Sequence, residues 1–251
     1  MENKNIIYYE QLDSTNTKIA EMAASGAEHG TIVVAKEQTA GKGRRGRTWE
    51  SPAGENIYMS ILLRPEIEPS KAPMLTLVMA NSVVKAIKKQ GFLDIQIKWP
   101  NDLVLSGKKV CGILTEMYLA GAQIDYVVVG VGVNVNGKYF PQELFGKATS
   151  LYLECGKVIE QKQLIVDIAS IFIEEYAQFM KTKDLSFLQE EYNAILINRE
   201  KEVQVLEPGN EYTAYALGIN DTGELLVRTA DGEEKAIFAG EVSVRGVYGY
   251  V

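Results

Sequence analysis

The chain has 251 residues, of which 46% are hydrophobic, and a formal net charge of -7, with a pI near 5.0. That length and composition suit one large domain, or a large and a small one, with a sizeable core, and the acidic balance opposes nucleic-acid binding through a broad basic surface. His29 is the only histidine, which excludes any two-histidine site and any Ser-His-Asp triad that does not use it. Cys111 and Cys155 lack metal-type spacing, against a zinc site or a disulfide framework. With no signal-peptide pattern and no apolar run long enough to span a bilayer, a soluble cytoplasmic protein is expected.

In chain order, residues 6–10 read as a short strand. Asp13-Ser14-Thr15-Asn16 follows and can cap a helix whose apolar stripe is Ile19, Ala20, Met22 and Ala23, with Gly26 as its stop. The same hydroxyls and amide would also suit a polar ligand group at a helix N-terminus. Residues 31–35 form a β-branched strand that leads through Gln38 into Gly41-Lys42-Gly43-Arg44-Arg45-Gly46-Arg47-Thr48-Trp49. No acid lies between Glu37 and Glu50, so Lys42, Arg44, Arg45 and Arg47 concentrate positive charge in an acidic chain. A mobile cationic loop freed by three glycines points to a local grip on an anion. The loop formally matches a dinucleotide fingerprint and nearly matches a P-loop. It runs into Ser51-Pro52-Ala53-Gly54, which starts no helix, so both readings fail on context.

Residues 57–63 predict a strand, 70–90 a helix stopped by Gly91, and 95–99 a strand broken by Pro100-Asn101-Asp102. Residues 103–105 and 108–118 predict two strands around Ser106-Gly107. Residues 124–135 are nearly all apolar and predict a central strand. Its Gly130 and Gly132 mark either a bulge or the close approach of another backbone or a ligand. Amphipathic helices follow over 164–180 and 186–196. The character then changes. Short strands at 203–206, 211–219, 225–229, 235–238 and 242–245, separated by Pro208-Gly209, Asp221-Thr222-Gly223 and Asp231-Gly232, predict a small barrel of about five strands. The expected fold class is α+β, with domains at 1–196 and 197–251.

Together these motifs resemble one family. The glycine–arginine loop, Asp13-Ser14-Thr15-Asn16, Lys98-Trp99-Pro100-Asn101-Asp102, Lys109-Val110-Cys111-Gly112-Ile113-Leu114 and Gly130-Val131-Gly132-Val133-Asn134 stand in the order seen in biotin protein ligases. The resemblance spans essentially the whole chain and is most specific over residues 8–136. It implies a class II synthetase-like catalytic fold, with a mixed, mainly antiparallel sheet, flanking helices and an SH3-like C-terminal barrel. It implies activation of biotin by ATP to biotinyl-5′-AMP, with release of pyrophosphate, then transfer to one lysine of a biotin carboxyl carrier domain.

The resemblance also assigns residues. Ser14, Thr15, Asn16 and Gln38 would hydrogen-bond the ureido head of biotin, whose two N–H donors and one carbonyl complement hydroxyls and amides. The backbone around Lys42, Gly43, Arg44 and Gly112, with Lys109, would cover the rest of biotin. Arg45, Arg47, Trp49, Asn101 and Asn134 fall to the ATP side. Arg44 and Lys109 would offset charge where a carboxylate meets the α-phosphate, and Asp102 would help hold Mg²⁺. Arginine is common in the family where Lys42 stands, so only backbone contacts carry over there. Many relatives carry an N-terminal DNA-binding domain; with a strand already at Ile6 the short type is expected, without operator binding. Pairing of two copies into a homodimer through sheet edges is open to this fold.

The nearest rival is a lipoate ligase or octanoyl transferase on the same fold, whose substrate lacks the ureido group. A nucleic-acid module is opposed by the acidic balance and by the lack of aromatic-interleaved basic patches. A pure interaction protein would show no ATP turnover.

Overall fold

A computed structural model describes residues 5–207, 209–238 and 243–246. Seven strands, β1 (Ile6–Leu12), β2 (Ile32–Gln38), β3 (Ile57–Leu63), β4 (Gln96–Lys98), β5 (Asp102–Leu105), β6 (Lys108–Ala120) and β7 (Gln123–Val133), form one sheet. Its order is β1-β2-β3-β7-β6-β5-β4. Only β1 and β2 pair in parallel; the other neighbours are antiparallel. The helices are α1 (Thr15–Ala24), α2 (Met74–Lys89), α3 (Leu151–Cys155), α4 (Gln161–Thr182) and α5 (Gln189–Ala194). Strands β8 (Lys201–Glu207), β9 (Asn210–Ile219), β10 (Leu225–Thr229), β11 (Glu234–Ile237) and β12 (Ser243–Gly246) make a second, antiparallel sheet in the order β11-β10-β9-β8-β12. This is the α+β class expected, with a mixed, mainly antiparallel main sheet.

Some boundaries differ from expectation. The helix expected over 70–90 starts at Met74, because Pro69–Lys71 makes a separate 3-10 turn and Pro73 holds the N-cap. A proline lacks only an N–H that the first turn cannot use. The helix expected over 186–196 shortens to α5. Pro208 and Val242, placed in a turn and a strand by the sequence, lie outside the described residues.

Strand periodicity sorts the core into two faces. Val33, Leu62 and Val128 pack on one face against Ile19 and Ala23 of α1. Ile32, Val34, Ile61, Leu63, Val127 and Val129 belong to the larger core on the other face, with α2 and α4. Because β3 is buried on both faces, it reads as a continuous apolar run.

One polar network crosses the α2–α4 contact. Buried Glu175 accepts from Asn81 Nδ2 at 2.7 Å and from Ser82 Oγ at 2.6 Å, and pairs with Lys85 Nζ at 2.8 Å. Lys85 also reaches Glu191, ahead of the end of α5, at 2.8 Å. The second sheet docks through hydrogen bonds. Trp99 Nε1 donates to the Gly223 carbonyl at 3.0 Å, and Asn193 Oδ1 accepts from Ile219 N at 2.7 Å.

Gly130 and Gly132 mark neither a bulge nor a backbone approach. The pairing of β7 with β3 and β6 runs through both without a register shift; the one irregularity on that pair lies at Tyr118/Leu119. A side chain claims each place instead. A Cβ on Gly130 would collide with the carboxamide of Asn16. One on Gly132 would lie 2.7 Å from Trp49 Nε1, and one on Gly112, its partner across the ladder, 2.8 Å from Trp49 Cζ3. Parity along β7 puts Gly130 and Gly132 on the same face as Val128, the α1 face. Helix α1 covers one half of that face and the Trp49 segment the other.

Two outcomes are expected. Glu175→Ala leaves buried amide and hydroxyl donors unsatisfied and should cost about 1–3 kcal/mol in urea unfolding. Gly132→Ala should displace the Trp49 indole; a shift in tryptophan fluorescence with unchanged far-ultraviolet dichroism would report it, since Trp99 stays tied to Gly223.

Candidate active site

The loop expected to be mobile is a compact hairpin. Lys42 and Thr48 form a bridge, Gly43 N donates to Arg47 O at 2.7 Å, and Trp49 N donates to Gly41 O at 2.9 Å. A 3-10 turn at Arg44–Gly46 makes its tip, with Arg45 at φ 58. The hairpin leaves β2 and lays Trp49 onto the glycine floor of β6 and β7. Two cavities open beneath it.

The first is tight, about 60 Å³, and is lined by Ser14, Thr15, Asn16 and Gln38 together with Lys42, Gly112 and the β7 glycines. Thr15 donates from its backbone N and its hydroxyl to Gln38 Oε1, at 2.8 and 3.1 Å. Gln38 Nε2 donates to Ser51 Oγ at 2.9 Å. Ser60 has one hydroxyl proton and lies 2.7 Å from Thr15 Oγ1 and 2.6 Å from Asn16 Oδ1. Asn16 Nδ2 donates to Glu116 Oε2 at 2.6 Å. The Asn16 carboxamide is thus held at both ends by protein. Ser14 sits at the N-cap of α1, but its side chain makes no capping bond.

The second cavity is larger, about 500 Å³. Arg44, Arg45, Arg47, Lys98, Lys109 and Lys147 line it, with Asp102 as the single acid of the lining among the described residues. Both cavities share Gly43, Arg44, Trp49, Asn101 and Lys109, so these residues form the junction. There Arg44 Nη1 donates to Asn101 Oδ1 at 3.0 Å, and Asn101 Nδ2 donates to the Ile113 carbonyl at 3.1 Å. Lys109 Nζ lies 2.6 Å from Asp102 Oδ1 and 4.9 Å from the centroid of the Trp49 ring. Trp49 Nε1 is buried and finds no partner among the described residues; such a donor asks for a ligand or water. Burial pulls the Arg44 guanidinium below its ordinary pKa; Asp102 opposes this, and Arg45 and Arg47 add to it. An anion entering here would relieve that desolvated crowding of like charge.

Asn134 stands apart from the other residues assigned to ATP. It is buried, lines neither cavity, and its Nδ2 donates to the Thr149 carbonyl at 3.0 Å. Conversely, Ser60, Glu116 and Lys147 were not singled out from the sequence. A serine inside the apolar run of β3 was the one available signal for Ser60. The other two are brought in by pairing and chain return alone.

Among the described residues no three His, Cys, Asp or Glu side chains converge as a metal cluster. Asp102 is the one carboxylate among the described residues that lines the larger cavity, and Lys109 already pairs with its Oδ1. A single carboxylate of this kind fits a magnesium ion that keeps waters and phosphate oxygens as its other ligands; it could not hold a metal by itself.

Comparison with known proteins shows the family. The model of the Biotin/lipoate A/B protein ligase family matches residues 8–134, and that of the Biotin protein ligase C terminal domain matches residues 200–245. The Bifunctional ligase/repressor BirA of Bacillus subtilis is 38% identical over 245 residues, covering 96% of this chain and 74% of that protein. The Biotin--[acetyl-CoA-carboxylase] ligase of Paracoccus denitrificans is 32% identical over 239 residues, covering 93% of this chain and 98% of that one. Among solved structures, the biotin protein ligase from Aquifex aeolicus in complex with biotin and ATP superposes with a TM-score of 0.84 at 31% identity, covering 97% of this chain and 99% of that one. The chain belongs to the biotin protein ligase family of enzymes.

Proposed function

We propose that the tight cavity takes the bicyclic head of biotin, that the larger one takes ATP, and that the two substrates react at the junction to give biotinyl-5′-AMP. The single observation that supports this most is the shared wall of Arg44, Asn101, Lys109 and Trp49 between a hydroxyl–amide cavity and a cationic one. Thr15 and Gln38, with Ser14, meet the ureido group as donors and acceptors. Asn16 serves mainly by keeping their arrangement rigid, since its carboxamide is already engaged. Lys42, Gly43 and Gly112 close the cavity through backbone.

In the first step a carboxylate oxygen attacks the α-phosphorus and pyrophosphate leaves. Two anions must meet, so Arg44 and Lys109 offset the charge of carboxylate and phosphate as it builds. Arg45, Arg47 and Lys98 neutralise the remaining phosphate oxygens, and Trp49 offers an apolar face to the adenylate. Magnesium bound through Asp102 and phosphate oxygens would supply further neutralisation of charge at phosphorus. Asn101 fixes the Arg44 fork. The hairpin then shields the mixed anhydride from water.

In the second step a lysine of a biotin carboxyl carrier domain receives the biotinyl group. The anhydride is already activated, so positioning of the amine suffices without a dedicated base. Residues 1–196 would perform the chemistry and residues 197–251 would form a separate SH3-like unit. The charge of -7 suits a cytoplasmic enzyme without operator binding.

Biotin-dependent exchange of pyrophosphate into ATP, absent with lipoate, is the expected result; equal exchange with lipoate would overturn the assignment. Arg44→Ala should weaken binding of biotin and biotinyl-5′-AMP about 10- to 100-fold, the cost of one charged hydrogen bond, and should leak adenylate. Calorimetry and release assays measure both, and tight retention would count against it. A gel shift with operator DNA of the repressor-type relatives should stay negative at physiological salt.

A further inference from the structure

The polar groups around the tight cavity form a chain in which each hydrogen can be assigned. At one end the backbone N–H of Thr15 donates to Gln38 Oε1, and Gln38 Nε2 donates to Ser51 Oγ, which passes its own proton to the Trp49 carbonyl at 3.0 Å. This fixes which way the Gln38 amide faces. At the other end stands Glu116, whose carboxylate only accepts. Its Oε2 takes Asn16 Nδ2 at 2.6 Å, and its Oε1 lies 3.9 Å from Lys42 Nζ. The Leu114 carbonyl, 3.4 Å from the same Nδ2, favours the same facing weakly. Asn16 Oδ1, which also only accepts, is therefore turned to Ser60. Three contacts lie between the two ends: Asn16 Oδ1 with Ser60 Oγ at 2.6 Å, Ser60 Oγ with Thr15 Oγ1 at 2.7 Å, and Thr15 Oγ1 with Gln38 Oε1 at 3.1 Å. Ser60 and Thr15 bring one hydroxyl proton each, so one contact is short of a hydrogen.

We infer that Glu116, which does not itself line the cavity, is a positioning residue that keeps this chain one hydrogen short, so that a ureido N–H of biotin completes it; the inference rests on the reading of the tight cavity as the biotin subsite. With Asn16 held by the carboxylate, Ser60 commits its proton to Asn16 Oδ1 and has a lone pair to offer Thr15. An N–H arriving at the Thr15–Gln38 contact turns the Thr15 proton to Ser60, and the ligand supplies the missing hydrogen. Thr15 Oγ1 and Gln38 Oε1 then both face the ligand as acceptors, one for each N–H of the ureido group. If the Asn16 amide turned over, Nδ2 would donate to Ser60, Ser60 to Thr15 and Thr15 to Gln38. All three contacts would be filled from within, and Gln38 Oε1 would have both lone pairs taken. Turning over sets Asn16 Oδ1 against the Glu116 carboxylate, oxygen to oxygen, so the charge opposes it. Ser60 is fully buried, and Thr15 and Asn16 nearly so, so a misplaced proton there costs as much as a lost hydrogen bond. The same arrangement confers selectivity. A ligand that offers a lone pair where biotin offers an N–H meets two acceptors and is refused.

The test is biotin-dependent pyrophosphate exchange by the full-length enzyme, with cyclic-carbamate analogues of biotin, in which a ring oxygen replaces either ureido N–H, as competitors. Glu116→Met removes the acceptor and keeps the length of the side chain. It should raise KM for biotin about tenfold, the scale of one charge-assisted hydrogen bond, with kcat and KM for ATP within about twofold. Glu116→Gln, whose carbonyl oxygen still accepts from Asn16, should stay within about threefold of the unmodified enzyme. The unmodified enzyme should prefer biotin to the weaker carbamate by about 100-fold, and Glu116→Met should narrow that preference to about tenfold. In a Ser60→Ala background the chain is already cut, so adding Glu116→Met should cost less than about twofold more. An equal loss for biotin and both carbamates would mean that Glu116 only shapes the fold, and would overturn the inference, as would an unchanged KM for biotin in Glu116→Met or losses that add in full with Ser60→Ala. Ser60→Ala alone should narrow the same preference, and an unchanged preference there would overturn the inference even if Glu116→Met failed to fold. If the unmodified enzyme gave no biotin-dependent exchange, the reading of the cavity itself would fail, and this inference with it; normal exchange with an unaltered preference in the variants would overturn the role of Glu116 alone.

Discussion

The absence of side chains at Gly112, Gly130 and Gly132 is the constraint on which the site depends. A strand pair normally presents Cβ atoms on both faces and fills the space above them. Here three positions on the α1 face are bare, and they lie together because Gly112 and Gly132 are direct partners across the β6–β7 ladder. Asn16 and Trp49 settle into the vacated layer. Their settling brings the start of α1 and the end of the cationic hairpin down on the sheet at neighbouring points. The space between them is the tight cavity. Any side chain larger than hydrogen at these glycines would lift one of the two segments, and the donors and acceptors around Thr15 and Gln38 would lose their common geometry.

Electrostatics then divides the site in two. On the α1 side Thr15, Asn16, Gln38 and Ser60 are neutral and bonded in one chain with Ser51, so that wall of the cavity is rigid before any ligand arrives. On the other side, among the described residues, six basic side chains face one carboxylate in a chain whose net charge is negative. Their repulsion is eased by specific partners at the junction, Asn101 for Arg44 and Asp102 for Lys109. Those partners hold the two cations in place. Preorganisation of this kind places the reorganisation cost in folding instead of in the reaction. The covering half of the α1 face is a hairpin with backbone bonds of its own.

Much of this was legible in the chain. The two periodicities marked nearly every element, because burial on one face or two is written directly into residue spacing. The cationic loop was visible as a charge run without acids, and the polar turn as a capping cluster that held more hydrogen-bonding groups than a cap needs. Boundaries moved where a local device overrode the pattern, as at Pro73. The glycines of β7 showed that something must come close, but spacing could not say whether it was backbone, ligand or side chain. Ser60 and Glu116 were hidden for a related reason. A serine in an apolar strand and a glutamate in a half-buried one acquire meaning only from the helix start that lies against them, 44 and 100 positions away for Asn16. Asn134, grouped with the nucleotide contacts by its motif, proved to spend its amide on the Thr149 carbonyl.

The chain by itself determined most of the strands and the longer helices, and the family. These depend on local spacing and residue type, which survive in one dimension. Tertiary structure alone decided that Arg44 and Asn101 meet 57 positions apart, that Trp49 rests on two glycines of different strands, and that two cavities share one junction. Such relations depend on strand order and register, which bring distant residues together and have no signature along the sequence.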